Sequence, residues 1–446
     1  MENLEQQLGD SKHYQMLVLT LDPDSDQKKL LDINLNGSRF VYNQCVEQHL
    51  SYLNQSEEFK KSNPLKYKDY KEIRAEHEFL YNCDQWNLQQ TVIHYKKKNL
   101  ANQKKRLNGT KVGKPRFKSR KFHDDKCYFN NQCIKINQDL ACKANSWVNI
   151  PKVGHVRFLR KSIPQKFLDG QIKQCTVKRV PTGEYRIALS IEIDIDKLKK
   201  PRKENGHQGL DMSLTSFYVD SFGATAPDLS RLNERLNYNL KKLDKLNQKF
   251  SLTRTKLKNS KDKSSKRHHK HAYNVLRTKI AKLSNHIENI KIDYINKLAK
   301  FLCEHNELIC IESLDLDEMR IHHKKSDQDY HVGGNHGKSI QRLKFSYFIQ
   351  KLEENAEIYG TIIVHAHKYF ASSQICSNCG KRNRQMKDVT IRKLKCIHCG
   401  FELDRDYNSA INLKKYGERC LQRKLQKDKS DGKDLSHSKG FKSENS

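Results

Sequence analysis

The sequence lacks any long hydrophobic run. None of its apolar stretches approaches the ~18 residues expected of a membrane-spanning helix, and the mean hydropathy is −0.90. The first ten residues, MENLEQQLGD, also lack the basic and apolar pattern of a signal peptide. We therefore expect a cytoplasmic protein that is not secreted and has no membrane partner.

Negative charge is scarce. The 446 residues include 52 Asp and Glu against 85 Lys and Arg, which gives a formal net charge of +33. So large an excess raises the self-repulsion of a compact chain and favours a polyanionic partner. An anionic membrane is the competing partner, but the chain offers no segment to insert into it, and nucleic acid is the better match.

A disulfide framework is not indicated either. The 13 cysteines are an odd number in a long chain without a secretion signal, so reduced thiols and a metal site are expected instead. Hydrophobic residues make up 36% of the chain, which is enough for packed cores. The length indicates two or three domains, and we find no internal repeat.

The first half of the chain predicts a small β-domain interrupted by helices. Residues 13–22 form a candidate strand, and residues 27–110 are polar and helical in pattern. A Gly- and Pro-broken basic loop, GKPRFKSRKF (113–122), follows. The stretch EYRIALSIEID (184–194) alternates cleanly, as a half-buried strand does, and PTG (181–183) predicts a hairpin turn before it.

The second half predicts a sheet with long helices. GLDMSLTSFYVDSFG (209–223) indicates two short strands, and leucine and isoleucine spacing indicates two amphipathic helices joined by the basic stretch 255–271. A buried strand is expected at 308–313, and a helix at 339–359 precedes another strand. From about residue 418 the polar, charged composition predicts a disordered tail.

Four cysteines have metal-ligand spacing. Cys376, Cys379, Cys396 and Cys399 form Cys-x2-Cys-x16-Cys-x2-Cys, and glycine follows each pair. Glycine permits the tight turn that directs two thiolates at one ion, and four thiolates close a tetrahedral zinc shell without leaving room for water. We therefore predict a structural Zn²⁺ site rather than four separate core cysteines.

Three acids are candidates for a second metal site. Asp211 lies in an apolar strand, Glu312 ends the strand LICIE, and Asp406 opens the helix DYNSAINL. Each alone is more often a solvated residue, or for Asp406 a helix cap. Together, two acids on neighbouring strands and one at a nearby helix start can converge at one edge of an RNase H-like sheet. Two Mg²⁺ ions would neutralise them there and support phosphodiester hydrolysis.

These motifs together resemble the TnpB family of transposon-encoded RNA-guided DNA endonucleases, relatives of the type V CRISPR effectors. The stretches that carry the resemblance are GKPRFKSRK, GLDMSLTSFYVD, LICIESLDLDEM, SSQICSNCG and CIHCGFELDRDYNSAINL. The resemblance implies that Asp211, Glu312 and Asp406 are the RuvC triad and magnesium ligands, and that the four cysteines bind zinc. Asp406 is preferred to Asp404 because family members carry the acid directly before the x-Asn-small-Ala run. Ser213 stands where the first motif often has glycine.

The resemblance also implies an α+β multidomain fold. Its parts are residues 1–26, the first strand of a wedge-type β-barrel; 27–112, a helical recognition insertion; 113–203, the rest of the barrel; 204–369, the first part of a split RuvC-like (RNase H-like) nuclease with a helical hairpin; 370–402, a zinc ribbon; 403–417, the last nuclease motif; and 418–446, a disordered basic tail.

The implied activity is RNA-guided cleavage of DNA. A guide RNA would pair with double-stranded target DNA beside a short adjacent motif, and the Mg²⁺-dependent site would cut, in a bacterial, nucleoid-associated protein. A cleavage-dead guided DNA-binding protein and a small type V CRISPR effector remain alternatives. A conventional transposase is disfavoured because it usually orders its acids Asp, Asp, Glu, and a zinc-ribbon transcription factor has no need of acids that end buried strands. The oligomeric state is left open.

Overall fold

A computed structural model describes most of the chain: residues 13–109, 111–119, 126–142, 145–159, 162–213, 216–312, 344–388 and 390–430. The end of the basic loop (120–122), the Gly- and His-rich segment (327–338) and residues 431–446 lie outside this described part. The chain divides into two compact units, residues 1–194 with 274–282, and residues 195–273 with 283–446. No helix among the described residues is both long and apolar enough to cross a membrane.

The strands of the first unit belong to one sheet. They are β1 (His13–Asp22), β2 (Lys126–Phe129), β3 (Lys135–Asn137), β4 (Trp147–Ile150), β5 (Gly154–Phe158), β6 (Gln171–Arg179) and β7 (Tyr185–Ile193). Their order is β2-β6-β7-β1-β5-β4-β3, with antiparallel neighbours throughout. Side chains of β7 are buried at every second residue, as its alternation predicts. Because β1 pairs with β7 along its length, strands from both sides of the helical segment share this sheet.

Helices fill the interval between β1 and β2. They are α1 (Ser25–Leu53), α2 (Glu57–Ser62), α3 (Tyr70–Glu76) and α4 (Gln85–Leu107), with a 3-10 turn at Glu78–Asn82. Asp24 caps the start of α1 in a capping box. Its side chain accepts a hydrogen bond from the Gln27 N–H, and the Gln27 side chain accepts one from the Asp24 N–H. The helices enclose a small core that includes Val41, Leu88 and Val92. A short helix, α5 (Gln165–Leu168), precedes β6.

The second unit has a four-stranded sheet between helices. Its strands are β8 (Gly206–Ser213), β9 (Phe217–Asp220), β10 (Asn306–Glu312) and β11 (Ile362–Ala366), in the order β11-β10-β8-β9. The three strands β8, β10 and β11 are parallel, and β9 is antiparallel to β8. The helices are α6 (Leu229–Asn259), α7 (Lys263–His305), α8 (Phe345–Tyr359) and α9 (Arg405–Ser430).

The sheet separates two cores. Leu210, Ile309 and Ile311 pack on one side with side chains of α7 and α8. Leu308 and Cys310 pack on the other side with Leu413 of α9. Alternate residues of the central strand therefore face opposite layers, which explains why residues 308–311 of β10 are all apolar.

Two sequence predictions in this unit were wrong. The basic stretch 255–271 is not the linker of the helical hairpin, because the turn is only residues 260–262 and Asp262 caps α7 by accepting from the Ser265 N–H. The last helix does not end near residue 417. It continues through 418–430, which contain neither glycine nor proline, and Cys420 and Leu421 pack against the sheet. Packing of Cys420 and Leu421 therefore supports helix in a segment whose composition suggested disorder.

Candidate functional site

The four cysteines converge at one point. Their sulfur atoms all lie within 4.8 Å of one another. The Cys376 and Cys399 Sγ atoms are 3.8 Å apart, and those of Cys379 and Cys396 are 3.6 Å apart. Four sulfurs bound at about 2.3 Å to one tetrahedral zinc ion would be separated by about 3.8 Å. The sulfur spacing therefore fits zinc closely.

Two matching turns hold these sulfurs. The Gly380 N–H donates to the Cys376 carbonyl, and the Gly400 N–H donates to the Cys396 carbonyl, each at 2.9 Å. Both glycines have φ near +70° (73° and 70°), which most side chains disfavour. Burial raises the pKa of the Cys396 thiol, but hydrogen bonds from the backbone N–H groups of His398 and Cys399 outweigh it and lower the pKa to about 6. The second turn thus favours the thiolate that a metal requires at Cys396. At Cys379 a backbone hydrogen bond with Lys381 lowers the thiol pKa, but desolvation and the three neighbouring thiols outweigh it and raise the pKa to about 11.

The cysteines belong to a small ribbon, for which we predicted residues 370–402 and whose last strand extends to Asp404. Its hairpin consists of β12 (Lys393–Lys395) and β13 (Glu402–Asp404), which pair antiparallel. Cys376, Met386, Leu394 and Cys396 form its buried core. So few apolar side chains give little stability to a fold of this size, so a bound metal would contribute much of it.

Two of the predicted acids lie side by side on the sheet. Ile311 of β10 pairs with Leu210 of β8 in parallel register, so the next residues, Glu312 and Asp211, are neighbours on the same face. This face is opposite to the one that Leu210 and Ile311 present to α7 and α8. It is the face that α9 covers.

The helix α9 approaches this face unusually closely. A Cβ atom on Gly209 would lie 2.1 Å from the Ala410 carbonyl oxygen and 2.5 Å from the Lys414 nitrogen. Gly209 and Asp211 are two residues apart on one strand and therefore face the same way. Asp406 is one helical turn before Ala410, so the close crossing brings the first turn of α9 next to Asp211.

The three carboxylates interact electrostatically. Burial raises the pKa of Asp211 well above its usual range, and the charges of Glu312 and then Asp406 raise it further. Burial also raises the pKa of Glu312. The Ser409 hydroxyl and the Arg405 guanidinium act in the opposite direction on Asp211, but they do not outweigh burial and like charge. We name Asp211, Glu312 and Asp406 the carboxylate triad.

The environment of the triad fits a divalent cation. Carboxylates are the oxygen donors that Mg²⁺ prefers, and a cation would offset the effect of the Glu312 and Asp406 charges on Asp211. The buried Ser409 hydroxyl approaches Asp211 but makes no hydrogen bond of ordinary geometry with any of the described residues. A metal-bound water would give this hydroxyl a partner.

The two acids of the DRD sequence have different surroundings. The Asp404 carboxylate accepts hydrogen bonds from the N–H groups of Asp406 and Tyr407, at 2.9 and 3.1 Å, so Asp404 caps α9. Asp406 does not act as the cap. Its carboxylate lies 3.9 Å from the Arg392 guanidinium of the ribbon and raises the pKa of Asp211.

Two asparagines that sequence reasoning did not single out join the ribbon to α9. The Asn408 side chain accepts from the Ser377 N–H and donates to the Ile375 carbonyl, both at 2.8 Å. The Asn412 amide donates to the carbonyls of Ser372 and Ile375 at 2.8 and 2.7 Å. Both asparagines are buried. Their i, i+4 spacing in NSAIN was the only available sequence signal, and it shows one helix face without showing its partner.

Arg405 makes a further connection at the base of the ribbon. Its guanidinium donates to the Asp388 carbonyl at 2.6 Å and lies 3.4 Å from the Ser373 hydroxyl. Its own N–H donates to the Arg392 carbonyl at 2.8 Å. The segment that holds the thiols is thus fixed to the helix that carries Asp406.

Comparison with known proteins finds relatives of this region and of the whole chain. The family model of the Cas12f1-like TNB domain matches residues 345–413, which include the four cysteines and Asp406. The chain is 23% identical over 427 residues to the putative RNA-guided DNA endonuclease InsQ of Escherichia coli K12, and the match covers 92% of this chain and 94% of InsQ. It is 37% identical over 81 residues to the TnpB-like protein L79 of Acanthamoeba polyphaga mimivirus. That match covers 18% of this chain and spans only 15% of the mimivirus protein.

A solved structure also aligns with most of this chain. The Cas12f1 chain in a complex with sgRNA and target DNA aligns with 91% of this chain and 99% of its own length, at 16% identity and a TM-score of 0.41.

Proposed function

We propose that this chain, which belongs to the TnpB family related to the type V effectors, is an RNA-guided DNA endonuclease. The observation that supports this most is the register of β8 and β10, with Asp211 beside Glu312 under the first turn of α9. A buried acid whose pKa is raised by burial and by neighbouring carboxylates, as that of Asp211 is, is costly for a fold and typical of functional sites. InsQ, which this chain matches almost end to end, carries the description putative RNA-guided DNA endonuclease.

The proposed reaction is metal-dependent hydrolysis of a phosphodiester bond. The carboxylate triad would hold Mg²⁺, which when bound activates water and stabilises the leaving oxygen. Asp211 and Glu312 contribute donors from rigid neighbouring strands, and α9 fixes Asp406 against them. The Arg392 guanidinium, 3.9 Å from Asp406, supplies positive charge beside the site for a phosphate group.

We also propose the finer architecture that the family resemblance implies. The sheet of the second unit would be a split RuvC-like nuclease, divided between residues 204–369 and 403–417, with a zinc ribbon at 370–402 between them. The sheet that includes β1 and β7 would be a wedge-type barrel, interrupted by a helical recognition insertion. The strand order of each sheet is compatible with these assignments.

The proposed partners are a guide RNA and a double-stranded DNA target. The net charge of +33 suits two polyanions. Recognition of a heteroduplex needs cations and shape, because base pairing supplies the sequence specificity. A cleavage-dead guided binding protein is not favoured, because all three acids are present and adjacent.

The decisive experiment measures cutting and binding in the same samples. RNA that co-purifies with the full chain would be sequenced to identify the guide, and a matched duplex would be incubated with the complex and Mg²⁺. Replacing any acid of the triad by alanine should lower the cleavage rate by several orders of magnitude. Binding should stay near the parental level, since it depends on basic surfaces much larger than the triad.

The control is Asp293→Asn, which removes an exposed acid that pairs with Lys297 on α7. It should cut at the parental rate. Cutting at the parental rate by all three triad variants would disprove the nuclease proposal. Loss of cutting in the control would show that removal of an acid outside the triad also impairs cleavage.

A further inference from the structure

The positive charge of the second unit is concentrated where α6 and α7 meet. We name residues 254–271 the hairpin tip. It contains one acid, Asp262, which caps α7. It contains three histidines and the following eight cations: Arg254, Lys256, Lys258, Lys261, Lys263, Lys266, Arg267 and Lys270.

These cations are exposed and unpaired among the described residues. All eight are solvent-exposed, and none forms an ion pair with another described side chain. Lysines nearer the sheet behave differently. Lys297 pairs with Asp293, and Lys300 pairs with Glu304. These two lysines near the sheet have acidic partners, whereas the tip has eight exposed cations and one acid.

Internal packing does not explain the tip. Leu236, Ile287 and Ile290 form the buried core of the hairpin, joined by partly buried leucines of the same region. Near the turn, Phe250 and Tyr273 make a ring contact at 4.6 Å, and Leu252 is 65% exposed. The tip thus has little apolar contact of its own to hold it in place.

At the start of α7 the charge also opposes helix stability, whereas Lys256 and Lys258 lie in the last turn of α6, where the dipole favours cations. Lys263 and Lys266 lie in the first turn of α7, where the helix dipole disfavours cations. Like charges four residues apart, such as Lys266 and Lys270, repel each other by a few tenths of a kcal/mol. Helical stability alone favours acids at these positions, so the charge needs another explanation.

We propose that the hairpin tip binds the phosphodiester backbone of nucleic acid. This inference rests on the proposed function for the identity of the polyanion, and the guide RNA and the target DNA are its two possible sources. Exposed cations on two neighbouring helices neutralise phosphates without reading bases, and binding releases the counterions of the nucleic acid.

The test compares salt dependence in two charge-matched variants of the full chain. The tip variant carries Lys258→Gln, Lys261→Gln, Lys266→Gln and Arg267→Gln. The control variant carries Lys241→Gln, Lys242→Gln, Lys245→Gln and Lys249→Gln, four exposed lysines in the body of α6. Glutamine is as good a helix former as lysine, so circular dichroism should show unchanged helicity in both.

Binding is measured at several salt concentrations in two arms: guide RNA with the free protein, and matched duplex DNA with the guide-loaded protein. Log affinity decreases linearly with log salt concentration. The steepness of this decrease should become smaller by about 0.9 for each lost contact to duplex phosphate, and by about 0.7 for each lost contact to a single strand. The tip variant should therefore lose about two to four units of slope in one arm, and the control variant less than one. The arm that changes identifies the bound strand.

Two results would overturn the inference. One is a slope that the tip variant leaves unchanged in both arms, and the other is an equal loss in the control variant. In either case guided cutting by the parent would show that the proposed function still stands. If the parent does not cut but the tip variant alone loses salt slope, the tip inference survives the failure of the nuclease proposal.

Discussion

Replacing Gly209 by alanine should disturb the candidate nuclease site without touching any of its acids. The new Cβ atom would lie 2.1 Å from the Ala410 carbonyl oxygen, whereas ordinary contacts begin at 3.4 Å. The obstructing atoms belong to the backbone of α9, so no side chain can rotate out of the way. The helix and the strand must separate by about 1.3 Å, and the first turn of α9 moves with Asp406.

The expected size of this effect follows from that distance. Overpacking of a buried contact costs about 1–3 kcal/mol of unfolding free energy. Displacement of a reacting group by about 1 Å can lower a rate by about 100-fold. We therefore expect Gly209→Ala to fold with reduced stability and to cut guide-matched DNA about two orders of magnitude more slowly, with binding of the guide retained.

Denaturant unfolding and single-turnover cleavage with Mg²⁺ would measure these two quantities. Gly113→Ala is the control, since its Cβ would have nothing within 4 Å and φ there is not positive. Parental cutting by Gly209→Ala, with unchanged stability, would refute the conclusion that the close crossing of β8 and α9 positions Asp406.

Further substitutions test the zinc site, the helix cap and the buried acid. Cys396→Ser should lower zinc content from about one ion per chain, measured by metal analysis, and speed amide exchange in the ribbon; full zinc retention would contradict the assignment. Asp404→Ala should cost about 0.5–2 kcal/mol because it removes the cap of α9, but it should cut at nearly the parental rate, and Asp404→Ser should keep parental stability because serine can also cap; a loss of cutting by Asp404→Ala as large as that of Asp406→Ala would give Asp404 another role. Folding raises the pKa of Asp211. The metal-free protein therefore loses stability as the pH rises above the pKa that Asp211 has in the unfolded chain, because the folded state disfavours the ionised carboxylate. Asp211→Asn should therefore raise the thermal midpoint at neutral pH without metal, and added Mg²⁺ should raise only the parental midpoint.

The local features of the fold could be predicted from sequence. The alternation of β7 follows from a half-buried strand, and its burial confirms it. The cysteine spacing likewise predicted a cluster, because two short turns are enough to bring each pair of thiols together. In both cases the information lies within a few neighbouring residues.

Features that depend on distant contacts could not be predicted. The side-by-side placement of Asp211 and Glu312 requires a register between strands about a hundred residues apart, which no local pattern specifies. The sequence DRD does not distinguish a cap from a site acid, and only the hydrogen bonds of Asp404 separate the two. The extension of α9 to Ser430 depends on packing of Cys420 against the sheet, which composition does not record.

The two ends of the ribbon lie close together. Ser373, near its start, and Arg405, just after its end, touch side chain to side chain at 3.4 Å. An insert whose two ends are this close imposes little strain on its host, because a short connection can span the gap at small entropic cost. We therefore expect that another small domain could be grafted in place of the ribbon, provided that it offers backbone groups to Asn408 and Asn412.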